Sequence, residues 1–300
     1  MNLTLKRLTL ALVLAGAPTL TLAAQPASSA AATQVLTTLP VTHSLAVALL
    51  DGTSVQLKRA APANLPASRQ PSYFEGRGGA SLQKDALRAT AVIGVRSIWH
   101  DDPLYPMARR SNIRIVEIDA ARPVDGALPG IAVDGDNAFA SYPWLNPINL
   151  GRMADVVAND LERLSPADKD KIQANLAGLK RQMLELTSSS QTRLAEADNL
   201  SVVSLSERLG YLASGLNLDV VSQALPADGK WDEAALKALG ETLKTQDVAL
   251  VLHHRQPEPE VLKVIEAAGA RLVVVDSDPE DTVAGLRNSV DAVVAVLVKG

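Results

Sequence analysis

The stretch TAVIGVRSIWHDDPLYPMARRSNIRIVEID, residues 90–119, decides the fold class. It opens with an apolar run, TAVIGVR, which is typical of a strand buried on both faces. A short helical pattern, DPLYPMARRSN, follows, and IRIVEID then predicts a second strand. Because strand, helix and strand in this order need a crossover connection, the two strands are predicted to lie parallel in one sheet. The protein is therefore predicted to be α/β.

The same alternation continues on both sides of this stretch. Towards the N-terminus, an apolar strand beginning at QVLTT leads into a short helix, and GTSVQLKRA alternates as a half-buried strand does. Residues 61–80, rich in Pro, Arg, Ser and Gly, are predicted to be a loop, and residues 81–89 a helix. Towards the C-terminus, strands followed by helical stretches are predicted at 200–205, 248–254 and 271–278. Two parallel-sheet lobes of similar size are expected.

A helical segment, residues 148–196, separates the two predicted lobes and is interrupted at Ser165–Pro166. Its second part places apolar residues on one stripe at steps of three and four. We therefore expect a long, stiff joining helix that permits only small motions between the lobes. The predicted stripe is Ile172, Leu176, Leu179, Met183 and Leu186. The predicted boundaries are 1–24 for a signal peptide, 25–34 for a flexible leader, 35–147 for the N-terminal lobe, 148–196 for the connector and 197–300 for the C-terminal lobe.

Composition points to an exported globular protein. Lys6 and Arg7 precede an apolar run that Gly16 and Pro18 interrupt, which is typical of a cleavable signal peptide and predicts no membrane insertion after cleavage. Its removal leaves 27 basic against 33 acidic residues. With 3% aromatic residues and no basic block, nucleic acid is excluded as a partner. The absence of cysteine excludes disulfides, thiolate metal sites and an N-terminal lipid anchor. We expect a periplasmic monomer that is not a lipoprotein.

The segment YPWLNPIN, beginning at Tyr142, carries the most specific motif of the chain. With the export signal, the two lobes and the joining helix, it resembles the H-x-W-L-D-P-x-N corner of the cluster A-I (ZnuA/TroA-like) solute-binding proteins. That family supplies zinc or manganese to ABC importers. The resemblance runs from about residue 35 to the C-terminus. It implies two lobes around a ligand cleft, with an importer permease and ATPase as partners.

The resemblance also implies which positions should hold the metal, because the family binds its ion with three His and one Asp or Glu. PSYFEG resembles the first motif, with Ser72 in the place of the histidine and Glu75 retained. Tyr142 stands in the place of the second histidine. SERLGY resembles the third motif, with Ser206 at the ligand position. Asp276, in VVVDSD, retains the fourth ligand. The resemblance thus implies a divergent member of the family, since all three imidazoles are missing.

Hydroxyl groups are poor ligands for zinc at neutral pH, so the inherited site is expected to hold it very weakly. The same groups suit hydrogen bonding to a small polar solute or a metal chelate. Arg77 and Arg96 are nearby cations that either face this cleft or face solvent. The predicted ligand-binding residues are Ser72, Tyr73, Glu75, Tyr142, Ser206, Glu207, Arg208 and Asp276.

Two alternatives remain open beside the receptor with an altered ligand. One is a true zinc or manganese receptor whose ligands have moved to His100, His254 and Asp276, since both histidines follow strand ends. The other is a periplasmic metallochaperone or scaffold without a transporter. An enzyme is not expected, because no nucleophile elbow, P-loop or zinc-protease motif occurs. Ser206, in addition, has Glu207 and no His as its sequence neighbour.

Overall fold

The computed structural model describes residues 33–124, 128–131, 142–226 and 230–298. The predicted signal peptide, 1–24, and nearly all of the predicted leader lie outside these residues. From residue 32 onward the chain forms one compact unit.

Two four-stranded sheets organise this unit, and every pair of neighbouring strands is parallel. The N-terminal sheet contains β1 (Gln34–Thr37), β2 (Gln56–Arg59), β3 (Ala91–Gly94) and β4 (Val116–Asp119). The C-terminal sheet contains β5 (Ser201–Ser204), β6 (Asp219–Gln223), β7 (Leu250–His253) and β8 (Arg271–Val274). The predicted α/β class with two parallel sheets is confirmed.

Both sheets have the same strand order, β2-β1-β3-β4 and β6-β5-β7-β8. In each sheet, the second strand in sequence lies on one side of the first, and the third strand lies on the other side. Open parallel sheets present their ligand-binding groups beyond the carboxyl ends of the strands at such a switch point. The loops after β1, β3, β5 and β7 are therefore the expected walls of a site.

Helices cover the sheets and join them. They are α1 (Pro40–Leu50), α2 (Gln70–Glu75), α3 (Gly79–Ala86), α4 (Leu104–Ser111), α5 (Pro147–Leu164), α6 (Lys169–Leu194), α7 (Gly210–Gly215), α8 (Glu233–Thr245), α9 (Pro259–Ala267) and α10 (Thr282–Val298). Within the described part of the chain, no helix combines the length and apolar character needed to cross a membrane.

Two elements differ from the sequence-based expectations. Strand β6 was not predicted, because it is an edge strand with largely exposed side chains and lacks a continuous apolar run. Helix α2 lies inside the stretch predicted to be a loop. Pro71 stands in its first turn, where proline fits a helix, and Phe74 is 2% exposed in the core of the N-terminal lobe. Burial of Phe74 stabilises a helix here, although the local composition predicts a loop.

The predicted joining segment consists of two helices, α5 and α6, which pack against each other. The break falls at Ser165 as expected, and the Asp168 carboxylate fixes it. That carboxylate accepts hydrogen bonds from the Ser165 hydroxyl (2.7 Å) and from the Ser54 amide and hydroxyl of the N-terminal lobe. Helix α6 contacts both α1 of the N-terminal part and α10 of the C-terminal part, so it connects the helices that follow β1 and β8. Four of its five stripe residues are fully buried, and Leu176 is partly buried.

Candidate functional site

The aromatic corner at Tyr142 begins the segment that enters α5. A 3₁₀ turn at Pro143–Leu145 buries Trp144, whose ring lies 5.1 Å from Trp99 and 5.0 Å from Tyr142. Trp99 and Trp144 are each 1% exposed. Asn146 then caps α5, with its side-chain oxygen accepting from the Ile148 amide at 2.9 Å. The corner is a packed support that fixes the direction of Tyr142.

Tyr142 meets two residues of the C-terminal lobe. Its hydroxyl donates to Asp278 Oδ2 at 3.1 Å, and its ring lies beneath the Arg208 guanidinium, whose central carbon is 5.1 Å from the ring centroid. Arg208 Nη1 donates to Ser277 Oγ at 3.2 Å and lies 3.5 Å from Asp278 Oδ2. We call Tyr142, Arg208 and Asp278 the cleft triad.

The electrostatics of the cleft triad keep the tyrosine protonated. Burial, and then the Asp278 carboxylate, raise the pKa of Tyr142 well above its usual range. Burial also raises the pKa of Asp278, while the bond from Tyr142 and the charge of Arg208 oppose that shift. The tyrosine hydroxyl is therefore the donor and the carboxylate the acceptor.

A cavity of 360 Å³ opens against the cleft triad. Its opposite wall is the segment that precedes α2 in the N-terminal lobe. Together the lining residues are Pro40, Ala63, Asn64, Leu65, Pro66, Ala67, Ser68, Tyr142, Arg208 and Asp278. The cavity thus receives residues from both lobes and from the corner that joins them, with its charged groups on one wall.

A separate polar pair lies at the carboxyl ends of β5 and β7. Ser206 Oγ and His254 Nδ1 are 2.7 Å apart, and Ser206 is 3% exposed. Burial, followed by the charge of Arg208, lowers the pKa of His254 to about 4, so the ring is neutral at physiological pH. The adjacent His253 accepts backbone amide hydrogens at Nδ1, which places its own proton on Nε2. Neither ring lines the cavity.

Comparison with known proteins places this geometry in a family. The family described as ZnuA, zinc-uptake complex component A, periplasmic, matches residues 100–291. The chain belongs to this family. ZnuA-family members are solute-binding receptors, periplasmic or extracellular, that work with the permease and ATPase of ABC metal importers. The resemblance stated from the motifs is confirmed at this level.

Solved structures of the ZnuA family and its relatives share the fold. A crystal structure of ZnuA is 18% identical, covers 89% of this chain and 99% of its own, and has a TM-score of 0.67. FpvC from Pseudomonas aeruginosa, in complex with Ni²⁺, is 19% identical, covers 89% and 97%, and has a TM-score of 0.68. The laminin-binding protein Lbp of Streptococcus pyogenes is 14% identical, covers 89% and 100%, and has a TM-score of 0.65. No curated protein sequence matches the chain.

Within the ZnuA-family frame, the structure brings only part of the predicted ligand set together. Tyr142 and Arg208 line the cavity. Ser72 and Glu75 are exposed on α2, and Tyr73 packs edge-on against Phe74 with Arg77 over its ring. The cavity instead takes its N-terminal wall from the segment just before α2, because the helix turns the motif away from it.

The C-terminal positions are also distributed differently from the prediction. Ser206 is held by His254, and Glu207 is exposed. Asp276 is exposed and accepts the Asp278 amide at 3.0 Å, so its carboxylate closes a turn. Asp278, two residues later, supplies the acidic group of the cavity. Sequence reasoning missed it, although VVVDSD shows both carboxylates and only the turn decides between them.

The relocated metal site is not assembled in the structure. Among the residues that the structure describes, no three His, Asp or Glu side chains form a group able to hold a metal ion, so His100, His254 and Asp276 do not converge. His100 is exposed. The Arg208 guanidinium lies beside Asp278, the one carboxylate among the described lining residues, where its charge repels a bare divalent cation. The cleft triad therefore does not fit a bare metal ion.

Asp102, beside His100 in the sequence, has a structural role. It is 3% exposed, and its carboxylate accepts the Val95 and Leu104 amides at 3.0 and 3.1 Å. Gly94 makes room for it, since a Cβ there would lie 2.7 Å from Asp102 Oδ2. Burial raises the pKa of Asp102 from 3.8 to about 6. The group ties the carboxyl end of β3 to the start of α4.

This shift predicts a pH effect on stability. A carboxyl group whose pKa is higher in the folded state stabilises the fold below its unfolded pKa, and this contribution is lost as pH rises through about 6. Denaturant titrations at pH 4, 5, 6 and 7 measure this effect. The free energy of unfolding of Asp102→Asn, relative to that of the wild type, should rise by roughly 2–3 kcal/mol from the lowest to the highest pH. Loss of one backbone hydrogen bond lowers the stability of the variant at every pH. Parallel pH profiles for the two proteins would contradict the assigned shift.

Proposed function

We propose that this ZnuA-family receptor is exported to the periplasm, binds a small polar solute or a metal chelate, and delivers it to the permease and ATPase of an ABC importer. Binding takes place in the cavity between residues 35–147 and 197–300. The observation that carries the proposal is the position of the Arg208 guanidinium 3.5 Å from Asp278, on the wall of a cavity that both lobes line.

Arginine in a cavity wall supports an organic ligand over a bare cation. A guanidinium offers planar donors to a carboxylate or phosphate and cannot lose its charge at physiological pH. The only other groups of the cleft triad are a phenol that stays protonated and one carboxylate. Oxygen donors of this kind, next to a fixed positive charge, give zinc or manganese neither imidazole nor several carboxylates.

Catalysis is not part of the proposal. Ser206 with its His254 partner has the atoms of a nucleophile and base, but the serine is 3% exposed and faces no described cavity. The ZnuA family is a receptor family, and a buried hydroxyl that also accepts the Arg208 amide serves to hold the loop after β5.

A true zinc or manganese receptor is the second candidate. It is kept because structural neighbours are described in complex with metals: FpvC with Ni²⁺ and Mn²⁺, and AdcA from Streptococcus pneumoniae with Zn(II). The metal would then bind through ligands such as His100, His254 and Asp276 after a rearrangement of the loops. A transporter-free metallochaperone or scaffold would be distinguished by the absence of importer genes beside this one.

Metal titration separates the first two candidates. We expect calorimetry with Zn²⁺ or Mn²⁺ alone to show no binding with a Kd below about 1 μM, and any metal found by elemental analysis of protein purified without chelator to be accompanied by an organic chelator. Native mass spectrometry should instead reveal a bound organic solute. Tight zinc binding by the wild type would overturn the proposal, and its loss in His254→Ala would assign the metal to the second candidate.

A further inference from the structure

We infer that the cavity at the cleft triad selects a small zwitterion, a solute with an ammonium group and a carboxylate on neighbouring atoms, as in an α-amino acid with an aliphatic side chain. The inference rests on the proposed function and names its ligand class. Asp278 would take the ammonium group, and Arg208 would take the carboxylate. No family motif predicts this pairing, because the motifs place the acidic ligand at Asp276.

The two oxygens of Asp278 are used unequally. Oδ2 receives the Tyr142 hydroxyl at 3.1 Å, the Ser277 hydroxyl at 3.5 Å and the Arg208 guanidinium at 3.5 Å. Oδ1 accepts no hydrogen bond from any residue that the structure describes. A carboxylate can accept several hydrogen bonds, so this oxygen remains available for a donor in the cavity.

Arg208 shows the matching pattern on the donor side. Its contacts with Ser277 and Asp278 both use Nη1. In the described structure, Nε and Nη2 donate to no protein acceptor, although a guanidinium carries five N–H donors in a fixed plane. The Tyr142 ring beneath it holds that plane in place, with the central carbon 5.1 Å from the ring centroid. Two coplanar donors are the geometry that a carboxylate accepts in a bidentate manner.

Charge decides between ligand classes. A solute with only a negative group would place it beside the Asp278 carboxylate as well as beside Arg208, and a purely cationic solute would meet the opposite conflict. Only a solute with both a positive and a negative group can pair with Asp278 Oδ1 and with the Nε and Nη2 donors of Arg208 at the same time. Among the described lining residues, Arg208 and Asp278 carry one full charge of each sign, so a net neutral solute adds no uncompensated charge to the cavity.

The remainder of the cavity fits an aliphatic side chain. Outside the cleft triad, the described lining residues are five apolar ones and two polar ones: Pro40, Ala63, Leu65, Pro66 and Ala67, with Asn64 and Ser68. Its volume of 360 Å³ is at the lower end of the range of ligand pockets, about 300–1,000 Å³. These dimensions favour a single amino-acid-sized molecule over a large siderophore-like chelate.

Three probes of one size test the inference: L-leucine, N-acetyl-L-leucine, which lacks the ammonium charge, and L-leucinamide, which lacks the carboxylate. We expect calorimetry on the mature wild-type protein to show binding of L-leucine at least tenfold tighter than either blocked form. Equal affinity for all three, tighter binding of a blocked form, or no binding of any probe would each overturn the inference.

The variant Asp278→Asn tests the assignment of the ammonium group. It keeps an oxygen that can accept the Tyr142 hydroxyl and removes only the charge, so the affinity for L-leucine should fall at least tenfold while that for N-acetyl-L-leucine should not fall. A folding defect would weaken both probes together. Asp291→Asn, the same change at an exposed site on α10, is the matched control and should bind as the wild type does. Unchanged L-leucine affinity in Asp278→Asn would contradict the assignment.

These outcomes distinguish the inference from the function beneath it. If native mass spectrometry finds a different organic solute and none of the three leucine probes binds, the inference of a zwitterionic ligand is overturned. The proposed function, a receptor for an organic ligand, would then still hold. Tight zinc binding that persists in Asp278→Asn would overturn both.

Discussion

Replacing Trp144 by alanine should lower the free energy of unfolding by about 3–5 kcal/mol, the usual effect of removing a buried large aromatic side chain. Trp144 is 1% exposed and contacts the rings of both Trp99 and Tyr142, so its loss leaves a void in the corner between the lobes. Equilibrium unfolding in urea, followed by far-UV circular dichroism, measures the change.

The same variant should also weaken ligand binding, because Tyr142 loses the ring that positions it. The matched control is Leu184→Ala on α6, which truncates a side chain that is 69% exposed. Its free energy of unfolding should stay within about 0.5 kcal/mol of the wild type. Similar stability losses in the two variants would show that the corner is not a packed support.

Replacing Arg208 by glutamine should reduce the affinity for L-leucine by about 10–100-fold, since a hydrogen-bonded charge contributes roughly 1.5–3 kcal/mol. Glutamine cannot reproduce the planar pair of donors or the positive charge. Arg208→Lys keeps the charge without the planar geometry. Its affinity for L-leucine should therefore be intermediate between those of the glutamine variant and the wild type. Calorimetry at one fixed pH provides the comparison.

Arg77→Gln is the control for this experiment, because Arg77 is exposed over the Tyr73 ring and lines no part of the cavity. It should bind the probe as the wild type does. If Arg208→Gln retains full affinity while Arg77→Gln loses it, the motif-based placement of the site on α2 would be favoured over the cavity described above.

Local patterns in the sequence were sufficient for the fold class and the family. Buried strands such as β3 and β7 have continuous apolar runs, and the stripe on α6 repeats with the period of a helix. Both signals depend on residues a few positions apart. Strand β6 has no continuous apolar run, and helix α2 has no repeating apolar stripe. Both are stabilised by contacts with residues that are distant in the sequence.

The site was predictable only in part for the same reason. Tyr142 and Arg208 were identified by their positions in motifs, and the structure places both on the cavity wall. Ser206 was expected beside them, but its partner is His254, 48 residues away in the chain. Asp276 and Asp278 are chemically identical side chains on one loop, and no pattern in VVVDSD distinguishes them.

The amino-acid order alone thus determined an α/β chain of the ZnuA family. Tertiary structure decided which carboxylate faces the cavity, because the turn after β8 engages Asp276 with the Asp278 amide and directs Asp278 towards Tyr142 and Arg208. Hydrophobic periodicity depends on residues that are close in the sequence, whereas a binding cavity is formed by side chains that only the folded chain brings together.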